Sequence, residues 1–241
     1  MTHGAKQGES RPDRWAHRRG EPRVFALLLS VYLLLAALTT VLVSPALGEP
    51  SEATLRRGAG MLLLIVSLAV SVLWPMLRLS QAAPERPASA ALADWVVVAL
   101  LAQAVVWPMT LLPGGALIRP VPWPGLWPWS VSAGVGLSLA SWALLIGSLV
   151  ALGTASGRPA ARVAWMIVIL IVALAGPAAG WALAGVRWAD WVGLASPITA
   201  PRILAASPSG LLPRVSAGEW AGSLAPAFVS LPVWMLARRR R

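Results

Sequence analysis

Cysteine is absent from the 241-residue chain, which removes disulfides, thiolate metal sites and iron–sulfur clusters from consideration. Histidine is almost absent: both copies, His3 and His17, stand near the amino terminus, so no pair of them can ligate a haem within a membrane. Charge is scarce as well. Charged residues make up 12% of the sequence, against roughly 25% in an average soluble domain. No short segments of alternating polarity are present, so a β-barrel is not expected. No Glu, Lys, Arg or His falls at the centre of any long apolar run, and Asp94 is placed just outside the third, which argues against proton relays, ion-coupled transport and intramembrane hydrolysis. Ser138 sits in a G-x-S-x-A string, but no histidine is at hand to activate it. Met109 and Met166 are expected to pack, not to ligate. With no nucleophile, base or metal set to assemble, the expectation is no enzyme and no cofactor.

What remains is apolar. Hydrophobic residues form 57% of the chain, and several runs reach the roughly 20 residues that cross a bilayer. The reading is an all-α, polytopic membrane protein with six transmembrane helices at Val24 to Ser44, Ala59 to Leu77, Trp95 to Leu112, Val131 to Leu152, Val163 to Gly185 and Ala221 to Ala237. They form one transmembrane domain over 24–237, between a basic tail at 1–23 and a basic end at 238–241. The first run follows a polar stretch and exceeds the core of a signal peptide, so it is expected to be a retained helix. The sixth is short and interrupted by Pro226 and Pro232.

The formal charge of +11 does not form the basic face of a nucleic-acid-binding domain, because the arginines lie in tails and loops. There they orient helices. With the amino terminus inside, 14 of the 20 Lys and Arg residues fall on the cytoplasmic side and six outside, which predicts that both termini are cytoplasmic. The tail Arg11 to Arg23, with Trp15 among its arginines, suits an anionic leaflet. The excess of Arg over Lys, beside abundant Ala, Gly and Pro, is the composition of a GC-rich bacterial genome and points to the cytoplasmic (inner) membrane.

Fourteen tryptophans sort onto this map. Indole favours the headgroup boundary, where its ring is buried and its N–H stays wet. Trp74, Trp95, Trp165 and Trp234 fall at inner ends of spans; Trp107, Trp123, Trp127, Trp129, Trp181, Trp188, Trp191 and Trp220 fall at outer ends. Trp142 alone is expected in mid-membrane. The outer loop 113–130 carries RPVPWPGLWPWS, whose prolines stop helix continuation while its indoles anchor the backbone against headgroups. The other outer loop, 186–220, is too apolar for a solvated linker and too rich in proline for a span, so short interfacial or re-entrant helices are expected, acting as a lid or as a cap. Small residues at a spacing of four mark helix-packing faces: Gly176, Gly180 and Ala184 in the fifth span, Ser132, Gly136 and Ala140 in the fourth. Pro177 predicts a kink.

Six spans, both ends inside, a basic-aromatic segment before the first helix and a long semi-buried outer loop between the fifth and sixth resemble the permease subunits of ABC-type export systems. That family carries an acidic–basic pair and a leucine-rich coupling helix between helices two and three. Here the loop reads Glu85, Arg86, Pro87, Ala88, Ser89, Ala90, Ala91, Leu92, so the pair and a trailing leucine match and the glycine of the family is replaced. The resemblance implies a permease without catalytic residues, working as a dimer driven by a separate ATP-binding subunit, with a polar cleft between helices. The alternative is a non-transporting accessory subunit of a larger membrane complex, which would pack its helices tightly. Either way the partners are the lipid bilayer and other membrane or ATP-binding subunits, in a homo- or hetero-oligomer, and not nucleic acid.

Overall fold

The computed structural model describes residues 28, 30–36, 52–81, 83–111, 127–183, 189–206 and 214–239. Among the described residues all regular structure is helical. Among those residues, five helices are long and apolar enough to cross a membrane. The first predicted span falls mostly outside the described residues; within it, 28 and 30–36 are helical, with Leu33 and Ala36 buried.

The first long rod is α1 (Glu52–Leu68), a wide π turn (Ala69–Leu73) and α2 (Trp74–Ser80). The Trp74 N–H reaches five residues back to the Ala69 carbonyl. Pro75 follows immediately, with no N–H to give and a ring that crowds the preceding turn, so the backbone widens where an α-turn would clash. Ser71 donates its hydroxyl to the Ser67 carbonyl at 2.6 Å inside the same disturbed turn.

Next comes α3 (Pro87–Val106), started by Pro87 at a position that needs no N–H. The central helix is α4 (Trp129–Ala155), with 19 of its 27 residues buried. It ends at Ser156, and Gly157, with a φ of 65°, turns the chain through the left-handed region that glycine adopts without cost. After Arg158, α5 (Pro159–Ala182) runs back with only Ile169, Ala173 and Gly176 buried. Two short helices follow, α6 (Ala189–Leu194) and α7 (Ala200–Ala205). The last is α8 (Ala217–Arg239), begun by a reciprocal cap: the Ser216 N–H donates to Glu219 at 2.6 Å and the Glu219 N–H to the Ser216 hydroxyl at 3.3 Å. It is one helix despite Pro226 and Pro232.

Composition explains why α4 is the axis. Glycine, serine and alanine recur along it and let neighbouring rods approach closely, which is how helices gain packing where lipid offers no hydrophobic drive. At Gly147 a side chain would meet Trp74 of α2 at 3.2 Å and Trp234 of α8 at 3.6 Å, so the glycine is a notch for two indoles. At Gly153 it would meet Leu79 at 2.7 Å and Trp165 at 3.1 Å. The most extensive pairings are α4 with α8 and α4 with α3. Both ends of the bundle are thereby defined: Ser80, Pro87, Ala155, Pro159 and Arg239 mark one, called here the arginine end, and Val106, Trp129, Ala182 and Ala217 the other.

Two positions correct the sequence reading. The third span begins at Pro87, not Trp95, so Asp94 lies inside its helix and is 1% exposed. A hydropathy scan stops at a carboxylate because it cannot see the arginine that neutralises it. Trp74, expected at a headgroup boundary, is fully enclosed, because the glycine notch on α4 receives its ring.

Candidate functional site

Two polar constructions stand out in this apolar bundle, one toward each end. At the arginine end, Asp94 lies seven residues into α3, about 10 Å from the helix start at 1.5 Å per residue. Its carboxylate meets Arg78 Nε of α2 at 2.6 Å, the two side chains being 2% and 10% exposed. Arg78 also donates from Nη1 to Gln81 Oε1 at 3.1 Å. Arg162, in the first turn of α5, donates from Nη1 to the backbone carbonyl of the same Gln81 at 2.8 Å. Two guanidiniums from two helices thus converge on one glutamine. The Trp74 indole lies beside Asp94. A buried ion pair is held by mutual attraction against desolvation, and removing one partner strands the other.

At the opposite end, the segment 189–206 turns back between the long helices. Its residues Leu194, Ser196, Ile198, Ala200, Pro201 and Leu204 are buried, with contacts to α1, α4, α5 and α8. The anchor is chemical. Pro177 in α5 has no N–H, which leaves the Ala173 carbonyl without its helical partner. Ser196 donates its hydroxyl to that carbonyl at 2.9 Å. Ala173 is nine residues from Ala182, so the segment enters the bundle by about 13 Å. Non-helical backbone at such depth needs protein around it, and the segment supplies its own bonds: the Ile198 N–H donates to Ser196 Oγ at 3.3 Å, and Thr199 donates to the Gly193 carbonyl.

The predicted packing residues divide. Ser132 and Gly136 are buried and Ala140 half-buried. Gln103 of α3 donates to the Gly136 carbonyl at 2.9 Å and Trp95 donates its indole N–H to the Ala140 carbonyl at 2.9 Å, so the small stripe exposes backbone that α3 binds. Gln103 also accepts from Trp107 at 2.9 Å. Gly176 is buried where a side chain would strike Ser196 and Thr199; among the described residues a side chain at Gly180 would have no neighbour within 4 Å, and Ala184 lies outside the described residues. Among the tryptophans placed at interfaces, Trp129 and Trp191 are exposed, Trp95, Trp165, Trp220 and Trp234 are half-buried, and Trp127 is 4% exposed. Trp123 and Trp188 lie outside the described residues. Trp142 is buried, with an indole N–H that has no partner among the described residues.

In the sequence, Arg78 and Arg162 count only toward topology, and Gln81, Gln103 and Ser196 stand in no motif. One signal for Ser196 was present: a proline inside an apolar helix announces a free carbonyl four residues earlier, and a serine in a semi-buried loop is a donor for it. Among the described residues no group of three or more His, Cys, Asp or Glu gathers that could hold a metal. No family model, curated protein or solved structure matches this chain.

Proposed function

We propose that the chain is a non-catalytic transmembrane subunit of a larger complex in the bacterial cytoplasmic membrane, crossing it six times with both termini in the cytoplasm. The observation that carries this reading is the closure of the arginine end. The connections there are six residues (81–86) and three (156–158), and the axis α4 is enclosed along its length. A coupling helix must project to receive force from an ATPase, and these turns provide no such lever. Arginine distribution supports the orientation: Arg78, Arg86, Arg158, Arg162, Arg238 and Arg239 lie at this end, and Arg57, Arg202 and Arg214 near the other.

The permease-like reading, a half-transporter driven by a separate ATP-binding subunit, draws support from the re-entrant segment 189–206 on the opposite side, where a gate would sit. Affinity purification of the full chain in mild detergent separates the two. A stable assembly without an ATP-binding protein supports the accessory subunit, and stoichiometric recovery of one overturns it. Orientation is checked on the same preparation route: single cysteines introduced into this cysteine-free chain at Gly157 and at Ser216 should be labelled by an impermeant thiol reagent from opposite sides of the membrane.

A further inference from the structure

A proline inside a helix frees the carbonyl four residues earlier, and this chain meets that fault in more than one way. At Pro75 the backbone widens into the π turn. At Pro177 the helix stays α, and the freed Ala173 carbonyl takes the Ser196 hydroxyl at 2.9 Å. Pro226 is buried, and the Gly222 carbonyl it frees lies only five residues from the helix start at Ala217. Pro232 has neither remedy. It frees the Phe228 carbonyl, yet α8 keeps α geometry from Ala217 to Arg239, and no side chain among the described residues donates to that oxygen. Ser223 and Ser230, the hydroxyls of α8 itself, donate to the Glu219 and Ala227 carbonyls.

Phe228 is the central residue of α8, eleven from either end and so about 16 Å from both. Hydrocarbon at that depth offers no hydrogen bond, so a carbonyl freed there needs a neighbouring helix or a hydroxyl. The oxygen also lies on an outward face. Phe228, Val229, Met235 and Leu236 are 65%, 56%, 62% and 54% exposed, Pro232 is exposed too, and their spacing puts all five on one side of the helix. A helical carbonyl points along its own stripe toward the residue four ahead, which places this one between Phe228 and Pro232. A second copy of the chain lacks the donor. Among the described residues, exposed positions midway along the other long helices, such as Leu100, Ile167 and Ile171, are apolar, and exposed Ser89 stands in the first turn of α3. We propose that the α8 face around Phe228 and Pro232 receives a transmembrane helix of a different subunit, which brings a serine or threonine hydroxyl onto the Phe228 carbonyl, as Ser196 does for Ala173 within the chain. This gives the partner of the accessory-subunit reading its chemistry, and it rests on that reading.

The chain has no cysteine, so a fluorophore is attached through Arg239→Cys and the full-length protein is reconstituted into phosphatidylcholine vesicles. The probes are acceptor-labelled synthetic transmembrane helices of leucine and alanine that differ at one central residue, serine or alanine. Energy transfer should show about three-fold tighter binding of the serine helix, the average effect of one hydrogen bond between helices in a membrane. Pro232→Ala returns an N–H to α8 and should erase that preference, whereas Pro177→Ala, whose carbonyl already has a donor, should keep it. Equal binding of the two helices, or a serine preference that survives Pro232→Ala, would overturn the site. So would energy transfer between differently labelled copies of the chain that Pro232→Ala abolishes, because a second copy would then occupy the face. Alkaline washing of the vesicles separates this from the reading beneath it: release of the protein sinks the membrane span, and retained protein without a serine preference sinks only the donor site. Recovery of an ATP-binding subunit in the purification above removes the accessory reading and leaves the serine preference standing.

Discussion

The two ends of the bundle solve the same problem with different chemistry. Toward the arginine end, short turns leave little backbone to cover, and the helices are tied by side-chain charge, with Arg78, Asp94, Gln81 and Arg162 joining α2, α3 and α5. Toward the other end a long connection folds inward, and its tie is a hydroxyl repairing a backbone fault that Pro177 created. A buried charge pair offsets its desolvation only while both partners stay in place, and each half is costly alone. A hydroxyl on a carbonyl is weak and exact, so its removal disturbs one segment and leaves the bundle standing. The comparison teaches how each end is tied: a charge lock at the first, a seated insert at the second.

The largest effect should come from parting the ion pair. Asp94→Leu leaves the Arg78 guanidinium buried without its carboxylate, and the expected loss is about 3 kcal/mol, at the lower edge for buried pairs because Arg78 retains Gln81. Thermal unfolding in detergent checks it. The double variant Asp94→Leu with Arg78→Met should recover most of that loss, since an apolar pair of similar volume replaces both charges at once. A single variant as stable as wild type would show that charge does not close this end.

A smaller effect, confined to the other end, is expected at Gly176. A valine there would strike Ser196 and Thr199, and over-packing of this kind costs about 1–3 kcal/mol. Hydrogen exchange should rise across Ser196 to Ala205 while α3 and α4 stay protected. Gly180→Val is the matched control: it belongs to the same G-x-x-x-G pair, has no neighbour within 4 Å, and should change nothing measurable. Equal exchange in both variants would mean that the segment is not seated on α5.

How much of this was legible beforehand follows from what each feature depends on. Long helices were readable because hydrocarbon demands continuous apolar runs, and all five described spans overlap the runs marked in the sequence. The stripe Ser132, Gly136 and Ala140 lies against α3, whose Gln103 and Trp95 donate to the carbonyls of Gly136 and Ala140. Asp94 was misplaced because its acceptability depends on Arg78, 16 residues earlier and across a turn. Trp74 was misplaced for a kindred reason: whether an indole meets headgroups or a glycine notch is decided by a different helix. Gly176 and Gly180 look identical in sequence and differ in surroundings among the described residues, where Ser196 and Thr199 cover the first and nothing lies within 4 Å of a side chain at the second.

The subtlest effect concerns the bond between Ser196 and Ala173. Hydrogen bonds between helices in membranes contribute about 0.6 kcal/mol on average and rarely above about 1.7, so Ser196→Ala should destabilise by about 1 kcal/mol, with the Ala173 carbonyl left unpaired. Pro177→Ala alters the fault itself, restoring an N–H four residues after Ala173 and with it the helical bond. In that background the serine hydroxyl is no longer the carbonyl's required donor, and Ser196→Ala should cost markedly less. A double-mutant cycle on thermal unfolding measures the difference, which should be about 0.5 kcal/mol or more for groups in direct contact. If Ser196→Ala costs the same in both backgrounds, the hydroxyl serves chiefly as acceptor for the Ile198 N–H at 3.3 Å, and the proline and the inserted segment are neighbours without being coupled.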